Sequence, residues 1–254
     1  MSWRISVIGR FAREAAQAGE GEVCATFRRS CYLRFPGERY ACVGDGSLGR
    51  GPLNALADDF TLPAIGQRLA LPTRDAEVWI PPALGAHARP DVQRLRNAAR
   101  PRVPAEGLGG LVADQHNALS GHAQPALDAI DRWLVGNSLD DEAQTLIGLG
   151  PGLTPSGDDY FGGVLIALHA FGRKSHAQAL WRWLTPRLPR TSAISGAHLA
   201  AAAGGEGHSA LHTCLQVLCN PNGYWPDALT GLDAVGHCSG WDSLAGVVAV
   251  AKVS

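Results

Sequence analysis

Glu22–Val43 reads EVCATFRRSCYLRFPGERYACV. Three short runs stand out in it: EVCATFRR (22–29), CYLRF (31–35) and RYACV (39–43). They are rich in Val, Phe, Tyr and Thr, residue types that suit a pleated, half-buried surface. Pro36-Gly37 separates the last two runs, so a small antiparallel meander is the natural reading. Outward from it, a further strand is expected at Glu77–Ile80, closed by Pro81-Pro82, and short helices around 11–18 and 92–99. Beyond residue 105 the strand signals almost vanish. Helical spacing of apolar residues appears at 125–135, and Ser138 followed by Asp140, Asp141 and Glu142 is a helix start. Further helices are expected at roughly 155–171, 176–188, 192–203, 207–219, 226–235 and 240–251. The fold class is therefore α+β: a β-rich N-terminal part (1–105) and an all-helical C-terminal part (106–254). ARPRVPAEGLGG (99–110) is the best junction, and a single compact unit stays open as the alternative.

The 254 residues carry 22 Lys+Arg against 23 Asp+Glu, a formal net charge of -1. That balance argues against a nucleic-acid or anionic-membrane binder, which needs a basic excess. Only Lys174 and Lys252 are lysines, so lysine chemistry has two candidates. Gly 31 and Pro 16 with no repeating period indicate many tight turns and close backbone approaches. Six cysteines without C-x-x-C spacing read as reduced thiols. The N-terminus shows no apolar secretion signal, and the run Leu244–Ala251 is far too short to span a bilayer, so a cytoplasmic protein is expected.

The densest unusual segment is GLGPGLTPSGDD (148–159), which ends one helical pattern and opens another. Thr154 suits an N-cap and Pro155 the first helical position. Gly150 and Gly152 shape a loop that can lie against a ligand. The N–H groups of Ser156, Gly157 and Asp158 would then face out at the positive helix end, a place for phosphate or carboxylate. Asp158 and Asp159 are candidate Mg²⁺ ligands, since Mg²⁺ takes carboxylate oxygens and bridges them to substrate phosphates. Carboxylates in a first turn also stabilise a helix with no ligand at all, by a few tenths to about 1 kcal/mol.

GHCSGWDSLAGV (236–247) echoes that segment: Ser156/Ser239, Gly157/Gly240, Asp159/Asp242, Gly163/Gly246 and Val164/Val247 align. Two apolar helices packed through Gly163 and Gly246 would bring their starts together on one ligand; chance similarity is the competing account. TSAISG (191–196), with Ser195, is a weaker third member, and His237 caps or bonds the Ser239 helix. GDGSLG (44–49) literally matches G-x-G-x-x-G, but Arg50-Gly51-Pro52 interrupts the helix a dinucleotide site needs, so it reads as a close-approach loop. His208 and His212 share a helical spacing without an evident third metal ligand.

GLGPGLTPSGDDYFGG (148–163) resembles the signature of a bacterial family that includes the AllH subunit of oxamate carbamoyltransferase. Residues 191–207 and 236–246 are similar to its later motifs, and SLGRGPLNAL (47–56) to an N-terminal segment of it. That family commonly has a hydroxyl residue where this chain has Cys238. The resemblance implies a subunit of a multi-protein enzyme in ureide or allantoin nitrogen catabolism. The reaction would convert oxalurate and phosphate to oxamate and carbamoyl phosphate, with other carbamoyltransferase subunits as partners. Asp158, Asp159 and Asp242 are then the candidate catalytic residues. Gly150, Gly152, Thr154, Ser156, Gly157, Ser195, His237, Ser239 and Gly240 are the candidate contacts to carbamoyl phosphate, oxamate or oxalurate. Two alternatives remain: a stand-alone Mg²⁺-dependent enzyme on a small phosphorylated or ureido metabolite, and a non-catalytic assembly subunit.

Overall fold

A computed structural model describes residues 3–84 and 89–254. The chain forms two compact units: one runs to Pro82 and also takes Glu206–Ser209, and the other comprises Ala83–Gly205 and Ala210–Ser254. The break after Pro82 lies upstream of the 99–110 stretch, so the helix at 92–99 is part of the helical unit.

The first unit is a seven-stranded mixed sheet with one helix. Its strands are β1 (Ile5–Gly9), β2 (Gly21–Thr26), β3 (Ser30–Phe35), β4 (Arg39–Gly44), β5 (Asn54–Ala57), β6 (Arg68–Leu69) and β7 (Glu77–Trp79), with α1 (Arg10–Ala16) between β1 and β2. The expected meander is β2-β3-β4, with Cys31 opposite Val43 and Leu33 opposite Ala41. Alternation in β3 turns Cys31, Leu33 and Phe35 into the core and leaves Arg34 in solvent, the period-2 signature of a sheet with one buried face. The full strand order is β6-β2-β3-β4-β5-β1-β7. β1, β5 and β6 lay outside the strands read from sequence. β4 pairs with β5, and β1 with β7, in parallel, so the sheet is mixed and larger than a meander.

The close-approach reading of GDGSLG holds. Asp45 caps a short 3-10 turn at Gly46–Leu48. A Cβ on Gly49 would lie 2.7 Å from the His208 imidazole, whose Nε2 is 3.0 Å from the Leu48 carbonyl oxygen.

The second unit is helical: α2 (Val92–Ala99), α3 (Ala118–Leu134), α4 (Ser156–Ala170), α5 (Lys174–Leu184), α6 (Ala193–Ala203), α7 (Ser209–Leu218), α8 (Trp225–Asp233) and α9 (Ser239–Ala251). α3 starts well before the expected Pro125, because Asn117 and Ser120 close a reciprocal capping box and Pro125 is accommodated inside the helix. The acidic start at 140–142 opens only a 3-10 turn, Asp141–Leu146. α4 and α9 are apolar almost all round, with Phe161, Val164, Leu165, Leu168, Leu244, Val247 and Val250 fully enclosed, so they form the centre of this unit.

These two helices cross through glycine on both sides. A Cβ on Gly163 would stand 1.8 Å from the Ser243 carbonyl oxygen, and one on Gly246 would stand 2.0 Å from that of Tyr160. The contact is reciprocal, because Tyr160 and Ser243 are themselves matched positions of the internal echo. The packing expected at Gly163 and Gly246 is therefore present, and it sets the two helix starts side by side. No helix among the described residues is long and apolar enough to cross a membrane.

Candidate functional site

The starts of α4, α6 and α9 gather a set of hydroxyls and three aspartates. Pro155, not Thr154, is the N-cap of α4, and no side chain caps that end. Thr154 instead turns toward α9, its hydroxyl 3.1 Å from that of Ser239. This contact bridges the two echoing segments.

The expected row of free N–H groups is mostly occupied. The Gly157 amide donates to the Leu149 carbonyl at 2.9 Å, and the Asp158 amide to that of Pro155 at 2.9 Å. In the second copy the Gly240 amide donates to the Val235 carbonyl at 3.2 Å. Gly157 and Gly240 thus serve tight helix starts, and of the three donors at α4 the Ser156 N–H alone keeps no described partner. The physical reason is the compact glycine loop before each helix, which folds its own carbonyls back onto the donors.

Asp158 is buried at 1% exposure and its carboxylate accepts three hydrogen bonds. Oδ1 takes the Gly148 amide at 2.9 Å; Oδ2 takes the Ser195 hydroxyl at 2.7 Å and the Thr191 hydroxyl. Ser192 completes the junction, its hydroxyl donating to the Leu153 carbonyl and accepting from the Ser195 amide. Asp158 and Ser195 therefore pin the start of α6 to the glycine loop. A carboxylate engaged on both oxygens is a poor first ligand for Mg²⁺, so the Asp158–Asp159 metal pair reduces to Asp159.

Asp242 is equally buried. Its Oδ1 accepts the Leu108 amide at 2.6 Å, and the Gly109 amide and Ser156 hydroxyl also bond it. Burial still pushes its carboxyl up to about 6, against the pull of those donors and of the His237 charge. The loop reaches it because Gly107 has φ +72°, and a Cβ there would stand 2.5 Å from Asp242 Oδ1.

Asp159 differs from both. Its Oδ2 is closed off from solvent and has no hydrogen-bond partner. Burial, with the neighbouring Asp242 and Asp158 charges, drives its carboxyl well above the ordinary carboxylate range, while the Ser239 and Thr154 hydroxyls pull it back. These influences favour the protonated carboxyl over the carboxylate, and a protonated carboxyl is both a donor and an acceptor.

The other expected residues sort plainly. Gly150 and Gly152 lie in the loop with φ +109° and +93°. His237 is exposed, and its Nε2 is 3.1 Å from Glu106 Oε2. Cys238 follows, its thiol raised to about 11 by burial and by the charges of Asp242, Glu106 and Asp159. Sequence reading missed the part played by Glu106, Gly107 and Leu108. The available signal was the glycine-rich GLGG run (107–110) inside the stretch taken for a junction.

One family model, described as oxamate carbamoyltransferase subunit AllH, matches residues 146–251. That span holds α4 to α9 and every aspartate of the cluster. No curated protein and no solved structure matches the chain.

Proposed function

We propose, from the match of residues 146–251 to the AllH family model, that this protein is a subunit of an oxamate carbamoyltransferase-type enzyme whose Asp159 cluster holds the carbamoyl-bearing substrate. The observation that carries the substrate-binding part is the enclosed, unpartnered Asp159 Oδ2. A buried carboxyl oxygen without a partner costs free energy that a ligand can recover. Three aspartates crowd this place, so a bare anion is a poor occupant, whereas the N–H groups of a carbamoyl or ureido group match the acceptors offered. In this reading the Ser156 N–H and the Thr154 and Ser239 hydroxyls, which lie 3.1 Å from each other, bond the oxygens of the same molecule.

The chemistry follows from that pairing. Phosphate oxygen attacks the carbamoyl carbon of oxalurate, the carbon–nitrogen bond breaks, and the departing oxamate nitrogen takes up a proton. Asp159, whose burial and carboxylate neighbours favour the protonated form, supplies that proton; this is the general-acid role that a raised carboxyl pKa suits. Asp158 and Asp242 act as positioning groups, one holding α6 and the other the 107–109 loop. The Ser156 amide favours negative charge on the tetrahedral carbon's oxygen.

The test is a melting-temperature series of the purified chain with oxalurate, oxamate, carbamoyl phosphate and phosphate, each with and without Mg²⁺. A ligand at about 100 times its Kd stabilises by about 2.7 kcal/mol. The expected result is a shift with the carbamoyl compounds and oxamate, none with phosphate alone, and loss of the shift in Asp159→Asn. No shift with any compound would leave the chain as an assembly subunit and reject the substrate-binding reading. A shift that appears only with Mg²⁺ would favour the stand-alone metal-dependent enzyme.

A further inference from the structure

We propose that Glu106, His237 and Cys238 form a binding site for a borderline transition-metal ion, with zinc the ion of choice. Each offers one ligand atom, and these atoms all lie within 4.8 Å of one another; among the described residues no other group of three His, Cys, Asp or Glu does so. In a tetrahedral zinc site with bonds of about 2.0–2.3 Å, ligand atoms sit roughly 3.5 Å apart. The Glu106–His237 separation of 3.1 Å already approaches this spacing. The donor set of one thiolate sulfur, one imidazole nitrogen and one carboxylate oxygen suits zinc and not Mg²⁺, which demands oxygen.

The side chains of Glu106 and His237 reach into solvent, but their backbones are fixed. The Asn117 side-chain amide donates at 2.9 Å to both the Ala105 and Gly107 carbonyls, holding Glu106 from either side. Leu108 is tied to Asp242, and the Asp242 amide is tied to the Cys238 carbonyl at 2.9 Å. The two loops are thereby fastened to the same aspartate. A Cβ on Gly107 would lie 3.0 Å from the Cys238 Cβ, so the loops touch directly. Asp242 and Glu106 bring carboxyl groups close to the Cys238 sulfur, surroundings that favour a cation. Three protein ligands leave a fourth position for water or a substrate atom, the pattern of a zinc that takes part in chemistry rather than one that only braces a fold. The site shares Asp242 with the aspartate cluster yet has its own ligands, so it stands or falls independently of the substrate proposed above.

The experiment titrates the full, reduced, chelator-treated chain with Co²⁺ and follows thiolate-to-cobalt charge-transfer absorption in the near ultraviolet. The band should saturate at one cobalt per chain, and be displaced by Zn²⁺ but not by Mg²⁺. Cys238→Ser should abolish it. His237→Gln and Glu106→Gln, both at exposed positions that leave packing untouched, should each weaken cobalt binding by more than the roughly 10–100-fold that loss of an outer-sphere partner costs. Asp159→Asn should leave the band intact. Absence of the band, or its survival in Cys238→Ser, would overturn the proposal. Unchanged affinity in His237→Gln or Glu106→Gln would overturn it equally.

Discussion

Asp158, Asp159 and Asp242 carry the same functional group in three different surroundings, and each makes its own prediction. Asp158 satisfies the Gly148 amide and two hydroxyls, so Asp158→Ala strands one buried and two part-buried donors and should destabilise the chain by about 2–4 kcal/mol in urea denaturation. Asp159→Asn replaces a carboxyl whose charged form burial disfavours with a neutral amide of the same shape and should leave stability at neutral pH equal or higher, so a loss comparable to that of Asp158→Ala would contradict the assignment of roles. Asp242 adds a pH dependence. Its folded-state carboxyl titrates at about 6 against an unfolded value near 4, so between these pH values the folded chain holds a proton that the unfolded chain has released. Stability from this group is full below about pH 4 and declines as pH rises through 6, by up to about 3 kcal/mol. Asp242→Asn, which keeps an acceptor for the Leu108 amide, should flatten that decline, and denaturation midpoints at pH 4.5 and 7.5 measure it. Curves that stay parallel to those of the parent chain would exclude it. The three residues were visible in the sequence as candidates, since each sits in a helix start of the form Ser-Gly-x-Asp, SGDD (156–159) or SGWD (239–242). Their division of labour was not, because it depends on donors from Gly148, Thr191 and Leu108, which no local pattern ties to them.

The α4–α9 crossing is the element on which the site depends, and its energetics are steric. A methyl at Gly163 or Gly246 would sit about 2 Å from a carbonyl oxygen of the facing helix, so neither helix can yield without separating. Gly163→Ala and Gly246→Ala should each cost about 3 kcal/mol or more, at or beyond the upper end for an added core methylene. Gly121→Ala is the control: it lies in α3 with nothing within 4 Å of the added atom, and should raise stability by about 0.5–1 kcal/mol through lost chain freedom. Similar losses at all three positions would mean that the crossing is not the source. Helices of this unit were legible because their caps and apolar spacing are local. Strands β1, β5 and β6 were not, because β1 finds its partners at Asn54–Ala57 and Glu77–Trp79, and a two-residue strand such as β6 has no period to read. The meander was legible for the opposite reason: its pairings join neighbours across short turns, one of them at Gly37 with φ +77°.

Across the whole molecule, chain order and structural order part company at one place. After α6 the chain gives Glu206–Ser209 to the strand-rich unit and then returns to the helical unit. Four residues, Glu-Gly-His-Ser, carry no strand signal, so a sequence divided into consecutive halves hides the exchange. Arg10 is what receives them: its Nε lies 2.8 Å and its Nη2 2.5 Å from Glu206 Oε1, and Nη1 lies 2.9 Å from Glu14. Glu206 is largely enclosed, with Oε2 unpartnered, whereas nearly half of the Arg10 side chain is in solvent. Arg10→Ala would leave that enclosed carboxylate without its counter-charge, and solvent access at Arg10 reduces the cost below that of a fully buried pair. The expected loss is about 1–3 kcal/mol. Glu206→Gln, which keeps an oxygen for Arg10 and relieves the burial of charge, should lose less. Scanning calorimetry of the full chain separates the possibilities. If the two units unfold in separate transitions, Arg10→Ala should lower one of them and leave the other in place. If they melt as a single block, the whole transition should move down by the same free energy. A transition identical to that of the parent chain would show that Glu206 is held by other contacts and that the 206–209 segment does not need Arg10.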